Sequence, residues 1–227
     1  RRGAAMNLHG ELLPSDIYGL IWLLAALGLL ACFRRAPWAQ LSDVAKINAW
    51  LGASIVVAAI WLLKAGVRPN LDLHLLGATA LTLMVGPYLA LLGLLLVLLA
   101  LAWLGVGDWQ NLALNWLLLA WIPVWISHAL LRICQRNLPP NYFIYIFVNA
   151  FLGGALAMLA SGAGSGLFHW LAQTYPADVL LEEYLPFYLL LAFSEAFSTG
   201  MALTMFVVYR PQWVMTFDDA VYLRKRH

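Results

Sequence analysis

His74 is the residue in this 227-residue chain best placed to do chemistry. It stands in Asn70-Leu71-Asp72-Leu73-His74-Leu75-Leu76-Gly77-Ala78-Thr79, at the mouth of an apolar region that runs to Gly105 without a further charge. Burying an imidazole or a carboxylate without a partner is costly, so the polar pair Asp72 and His74 needs a reason to be there. Imidazole is the commonest protein ligand for nickel, cobalt, copper and zinc, and metal binding is the first chemistry to consider. His9 is the second candidate ligand. A histidine close to a free N-terminus can add the terminal amine and deprotonated backbone nitrogens, a set that favours a square-planar cation. Asp72 and Asn70 either orient the ligand or simply cap backbone groups. Spacing alone leaves open a plainer reading, in which His74 is an interfacial histidine bonded to a carbonyl.

Glu195 is the only acidic residue well inside an apolar stretch. It serves either as polar glue between helices, with Ser194, Asn149 or a partner helix as its mate, or in transport itself. His128, one turn before Arg132, reads as an interfacial or partner-contact residue. His169 reads as a loop histidine or an accessory ligand. Cys32 and Cys134 lie near the ends of apolar runs with no Cys-x-x-Cys pattern, as buried or interfacial free thiols do.

The elements that must position these groups are membrane helices. The chain is 63% hydrophobic and 11% charged, with a mean hydropathy of +0.81. A soluble domain is about a quarter charged. The basic residues form no stripe, which argues against nucleic acid. The eleven Trp fall largely near segment ends, as in an interfacial belt. The expected fold is all-α, a single polytopic bundle with a lead-in over 1–16, a helical body over 17–209 and a tail over 210–227. Met6 is the expected natural start, with residues 1–5 an extension. Spans are predicted at 17–33, 45–64, 73–85, 88–105, 112–132, 142–163 and 185–209, with a loop over 166–183. The break at Gly86-Pro87 divides a run too long for one crossing. The span 73–85 is shorter than a crossing needs, so it must begin below the surface or be shielded by its neighbours. A ridge at Gly153, Ala157, Ser161 and Ser165 invites close helix approach. Seven crossings put the termini on opposite sides. The groups Arg34/Arg35/Lys46, Arg132/Arg136 and the basic tail then favour a cytoplasmic C-terminus and an outside N-terminus. His9, His74, Asp108 and the 166–183 loop fall together on the outer face.

His74-Leu75-Leu76-Gly77-Ala78, then Gly86-Pro87, then Gly107-Asp108, resembles the HLLGG…GP…GD pattern of the CbiM/NikM family. Glu195-Ala196-Phe197-Ser198-Thr199-Gly200 and Arg210-Pro211 resemble the end of that family. The resemblance covers about 130 residues, densest at 74–115 and 190–214. It implies the substrate-binding membrane component of an energy-coupling-factor importer, in the cell inner membrane, with Co2+ or Ni2+ as the ion carried and no organic cofactor. It implies His74 as a ligand, matching the family's HLLG histidine, and His9 as the candidate for its N-terminal one. His9 lies three residues after Met6, and Gly10-Glu11-Leu12 replaces the family's Ile-Pro-Asp-Gly turn. Asn111 and Asn115 resemble the family's Asn-containing loop at altered spacing. Partners implied are an ATP-binding pair and a transmembrane coupling subunit, alongside membrane lipid. The small residues of the first and sixth predicted helices are the expected docking surface for them. The sequence has no Gly-x-x-x-x-Gly-Lys-[Ser/Thr] loop, consistent with energy supplied by other subunits.

Two other classes compete with this reading. A structural membrane subunit without a ligand would be indifferent to loss of His74. Gly162-Ala163-Gly164-Ser165-Gly166 superficially resembles the GxSG element of rhomboid intramembrane serine proteases, which need a histidine base within hydrogen-bond reach. That family supplies it from a later helix, and no histidine stands between His169 and His227. No enzymatic activity is expected.

Overall fold

A computed structural model describes residues 13, 15–63, 65–68 and 71–222. Helix α1 (Ser15–Arg35) leads into α2 (Val44–Leu62), which is capped by the Asp43 carboxylate on the Ala45 amide. A short antiparallel hairpin follows, β1 (Ala65–Arg68) with β2 (Leu71–Leu73). It adds two short strands to the expected helical bundle. Next come α3 (Ala78–Val85) and α4 (Pro87–Trp103). Three long continuous helices complete the body: α5 (Leu112–Asn137), α6 (Tyr142–Leu171) and α7 (Ala177–Tyr209). A one-turn helix, α8 (Asp219–Tyr222), closes the described chain.

Five of these helices, α1, α2, α5, α6 and α7, are long and apolar enough to cross a membrane, and α4 is a shorter apolar helix. The protein is a multi-pass membrane protein. Helix α3 has eight residues, about 12 Å at 1.5 Å per residue, well under the ~30 Å of a bilayer core. It survives because it is wrapped. Every α3 residue except Ala80 is buried, against α2, α4, α5, α6 and α7. The shielding that its length demanded is therefore present. The helix starts later than the predicted 73–85, because residues 74–77 form a non-helical turn. Gly86 ends it with φ +79°, and Pro87 then opens α4 at the position where a missing N–H is harmless.

Helices α5 and α7 each contain a π-helical turn just before a proline, Leu117–Trp121 before Pro123 and Leu180–Tyr184 before Pro186. A proline ring clashes with the carbonyl four residues back, here that of Leu119 and of Glu182. The wider turn relieves the clash without ending the helix. Helix α6 runs eight residues past the predicted end at 163, so the expected loop over 166–183 shrinks to residues 172–176. Leu167, Phe168, Trp170 and Leu171 continue its apolar character, and no proline intervenes before Pro176.

The small-residue ridge lies buried as its spacing implied. A Cβ on Gly153 would touch Leu130 and Thr79, and the Ser161 hydroxyl donates to the Leu118 carbonyl at 2.9 Å. A second set on the same helix faces α7. A Cβ on Gly154 would lie 3.2 Å from the Glu195 carbonyl oxygen. That near contact of α6 and α7 backbones fixes where Glu195 stands. Not all tryptophans form a belt. Trp22, Trp38, Trp103, Trp109 and Trp170 are exposed, but Trp50, Trp61 and Trp116 are buried and donate their indole N–H to the carbonyls of Leu89, Leu76 and Leu91.

Candidate functional site

The turn 74–77 joins the hairpin to α3. His74 is buried, at 7% exposure. Its ring lies against Trp61 of α2, with centroids 4.9 Å apart. Its Nδ1 is 3.0 Å from the Leu75 carbonyl oxygen. A carbonyl only accepts, so Nδ1 carries a hydrogen, and in the neutral imidazole Nε2 then carries the lone pair. This is the arrangement in which a histidine ligates through Nε2 while its other nitrogen is held by a backbone oxygen.

Gly77 completes the turn with φ +64°, a left-handed conformation disfavoured for any residue with a Cβ. A Cβ there would also sit 2.8 Å from Val57 Cγ2. The sequence could use only glycine at this point. Trp61 holds the turn from α2, donating to the Leu76 carbonyl at 3.0 Å.

Glu195 holds it from α7. The carboxylate is 1% exposed and accepts two backbone hydrogen bonds, Leu76 N–H to Oε2 and Gly77 N–H to Oε1, each 2.8 Å. Of the mates considered for Glu195, neither Ser194 nor Asn149 supplies these bonds. The bonds span 118 and 119 residues of sequence. Gly77 is also the N-cap of α3, so a negative charge on this carboxylate stands at the positive end of that helix. A cleft of about 500 Å³ lies between α2 and α7, and its lining includes Leu75, Gly77 and Glu195.

Asn111 sits in a second buried network. Its Oδ1 accepts from the Tyr18 hydroxyl at 2.9 Å, and its Nδ2 donates to Asp108 Oδ2 at 3.0 Å. This ties α1 to the start of α5. Asp72 pairs through its backbone with Gly66 in the hairpin. Asn70 and His9 lie outside the described residues. Among the described residues, no three His, Cys, Asp or Glu side chains gather as a metal-binding group. His74 is brought together with Trp61 and Glu195.

His169 is not a loop residue. It occupies the last turn of α6, 1% exposed, with Phe168, Tyr175 and Tyr184 rings around it. His128 is half-buried beside the Trp125 ring. Both cysteines are free and buried, as expected. Trp61 was missed as a site residue, although the signal existed. Trp50, Ser54, Val57 and Trp61 repeat at the spacing of one helix face, and all four are buried.

The fold and this turn define an integral-membrane helical bundle that presents a buried histidine at the start of a broken helix. The chain belongs to the CbiM family, described as the cobalt uptake substrate-specific transmembrane region, which matches residues 7–213. It is thus a membrane component of metal uptake. Two solved structures share the fold. One is a transition metal transporter, with TM-score 0.70 and 20% identity, covering 88% of this chain and 92% of the other. The second is a truncated transition metal transporter, with TM-score 0.72 and 20% identity, covering 90% of this chain and 99% of the other. No curated protein matches by sequence.

Proposed function

We propose that this protein is the substrate-capture subunit of a Co2+ or Ni2+ importer. The ion is bound at the outer face by His74 Nε2, with His9 as the second histidine ligand and Asp72, Asn70 and Asn111 in supporting positions. The observation that carries this reading is the fixed imidazole: its Nδ1 hydrogen is committed to the Leu75 carbonyl, so Nε2 is the nitrogen that ligates. The seven helical segments cross or enter the membrane with the N-terminus outside and the C-terminus cytoplasmic. Support comes from charge. Arg35 donates to the Tyr88 hydroxyl at the start of α4, and the tail after Arg210 packs beneath α3. Cys134 and Gln135 at the end of α5 line a pocket with Thr216 and Asp218 of that tail. The ends carrying Arg34, Arg35, Arg136 and Arg210 therefore gather at one end of the bundle, which the positive-inside rule assigns to the cytoplasm. In the cell inner membrane, an ATP-binding pair and a transmembrane coupling subunit supply the energy.

The test is direct. The purified protein is loaded with Co2+ or Ni2+, and the bound ion is measured by elemental analysis in the parent and in His74→Ala and His9→Ala. His74→Ala is expected to lose the ion, and His9→Ala to weaken it. Equal metal content in all three would overturn the assignment.

A further inference from the structure

Leu75 C=O and Leu76 N–H are the two ends of one peptide unit. Leu76 C=O and Gly77 N–H are the two ends of the next. Each unit is planar and rigid. Glu195 Oε2 accepts from the first, whose carbonyl accepts from His74 Nδ1. Glu195 Oε1 accepts from the second, whose carbonyl accepts from Trp61. The carboxylate therefore reaches His74 through a single intervening peptide: Glu195 Oε2, Leu76 N–H, Leu75 C=O, His74 Nδ1–H.

We propose that Glu195 is a positioning residue for the ion ligand, acting on the His74 imidazole through the Leu75–Leu76 peptide. The inference rests on His74 being the ligand. It is a carboxylate–histidine–metal arrangement with a peptide inserted between carboxylate and ring. Two consequences follow from the geometry. Because both peptides are gripped, the turn cannot rotate the Leu75 carbonyl away, and the imidazole keeps its orientation and tautomer. Because hydrogen bonds in series polarise one another, an anionic acceptor on the N–H strengthens the carbonyl as an acceptor and makes Nε2 a better lone-pair donor.

The probe is Co2+, whose visible absorption bands report its ligand field. Co2+ is titrated into the purified full chain and into Glu195→Gln, Thr79→Ala and His74→Ala. Glutamine keeps the shape but turns an NH2 toward one backbone N–H, so one peptide loses its hold. The expected result is Co2+ binding about ten- to a hundredfold weaker in Glu195→Gln, the usual range for loss of a group behind a metal ligand, together with shifted absorption bands. Thr79→Ala breaks a bond from the same helix to Ser127 of α5 and is expected to leave both unchanged. Loss of binding in His74→Ala with an unaltered Kd and spectrum in Glu195→Gln would overturn the positioning role alone. Retained binding in His74→Ala would instead overturn the ligand reading. A measurement on the unmutated protein guards against a variant that does not fold. The 15N imidazole shifts of metal-free His74 are expected to show hydrogen on Nδ1, and hydrogen on Nε2 would refute the proposal.

Discussion

At its hairpin end, α3 is met by a carboxylate. Glu195 draws in the two amides that precede the helix, and Trp61 takes the carbonyl between them. At its other end, the same helix is met by neutral donors from the tail after α7. The Met215 amide donates to the Met84 carbonyl at 2.7 Å, and the Thr216 hydroxyl donates to the Leu83 carbonyl at 2.6 Å. The Tyr145 hydroxyl reaches Thr216 at 2.6 Å and donates, since the Thr216 hydrogen is already used. Both ends answer the same need, because a helix that stops inside a membrane leaves backbone groups that lipid cannot satisfy. The chemistry differs. The tail uses donors on carbonyls and completes an aromatic cluster of Tyr145, Phe217 and Tyr222. The hairpin end uses a buried carboxyl group and stands beside His74. One end is built to be closed, and the other is built to fix the turn that carries His74.

Substitutions at the two ends should separate stability from ion binding. The largest effect is expected from Gly77→Ala. Left-handed backbone strain adds about 1–2 kcal/mol, and overpacking against Val57 adds about 1–3 kcal/mol. Thermal unfolding in detergent should show the sum, and adding Val57→Ala should recover the packing part while leaving the strain. Thr216→Val at the opposite end strands the Leu83 carbonyl and the Tyr145 hydroxyl, a loss of about 1–3 kcal/mol. Its Co2+ affinity, measured by calorimetry, should stay at the parent value. A weakened affinity would mean that the two ends are not separable. Trp61→Phe keeps a ring against His74 and removes one donor from the Leu76 carbonyl. It should lower stability by about 1 kcal/mol and weaken Co2+ binding measurably, sharpening the contrast with Thr216. The smallest effect belongs to Thr79→Ala. Ser127, its partner, still donates to the Pro123 carbonyl at 2.7 Å, so nothing is stranded. The change in unfolding midpoint should correspond to under about 1 kcal/mol.

Much of the fold was legible because its signals are local. Apolar runs set the helices, Gly86-Pro87 marked the break, and the short run before it announced that it must be shielded. The end of α6 was misplaced because Gly162, Gly164 and Gly166 look like a loop opening. They are packing glycines, with Tyr188, Ile122 and Leu185 where their side chains would be. His169 was misplaced with them. Within the site, His74 and Glu195 each drew notice as polar groups in apolar surroundings. Their connection could not be read, because it runs through backbone amides and spans more than a hundred residues. No residue type encodes an amide as a partner. Trp61 was hidden by a general rule about tryptophan at interfaces, although its own helical repeat placed it on the buried face.

The bracketing of α3 has a consequence for the order in which the protein is made. Chains are synthesised and begin to fold from the N-terminus. Helix α3 emerges early, yet its groups at one end wait for Glu195 and those at the other for Met215 and Thr216. Until then the Leu76 and Gly77 amides and the Leu83 and Met84 carbonyls lack these partners, and lipid offers none. The nascent chain must carry an unfinished segment through the synthesis of α4, α5 and α6, seating it only when the seventh helix and its tail arrive. The centre of the bundle is thus the last part to be assembled.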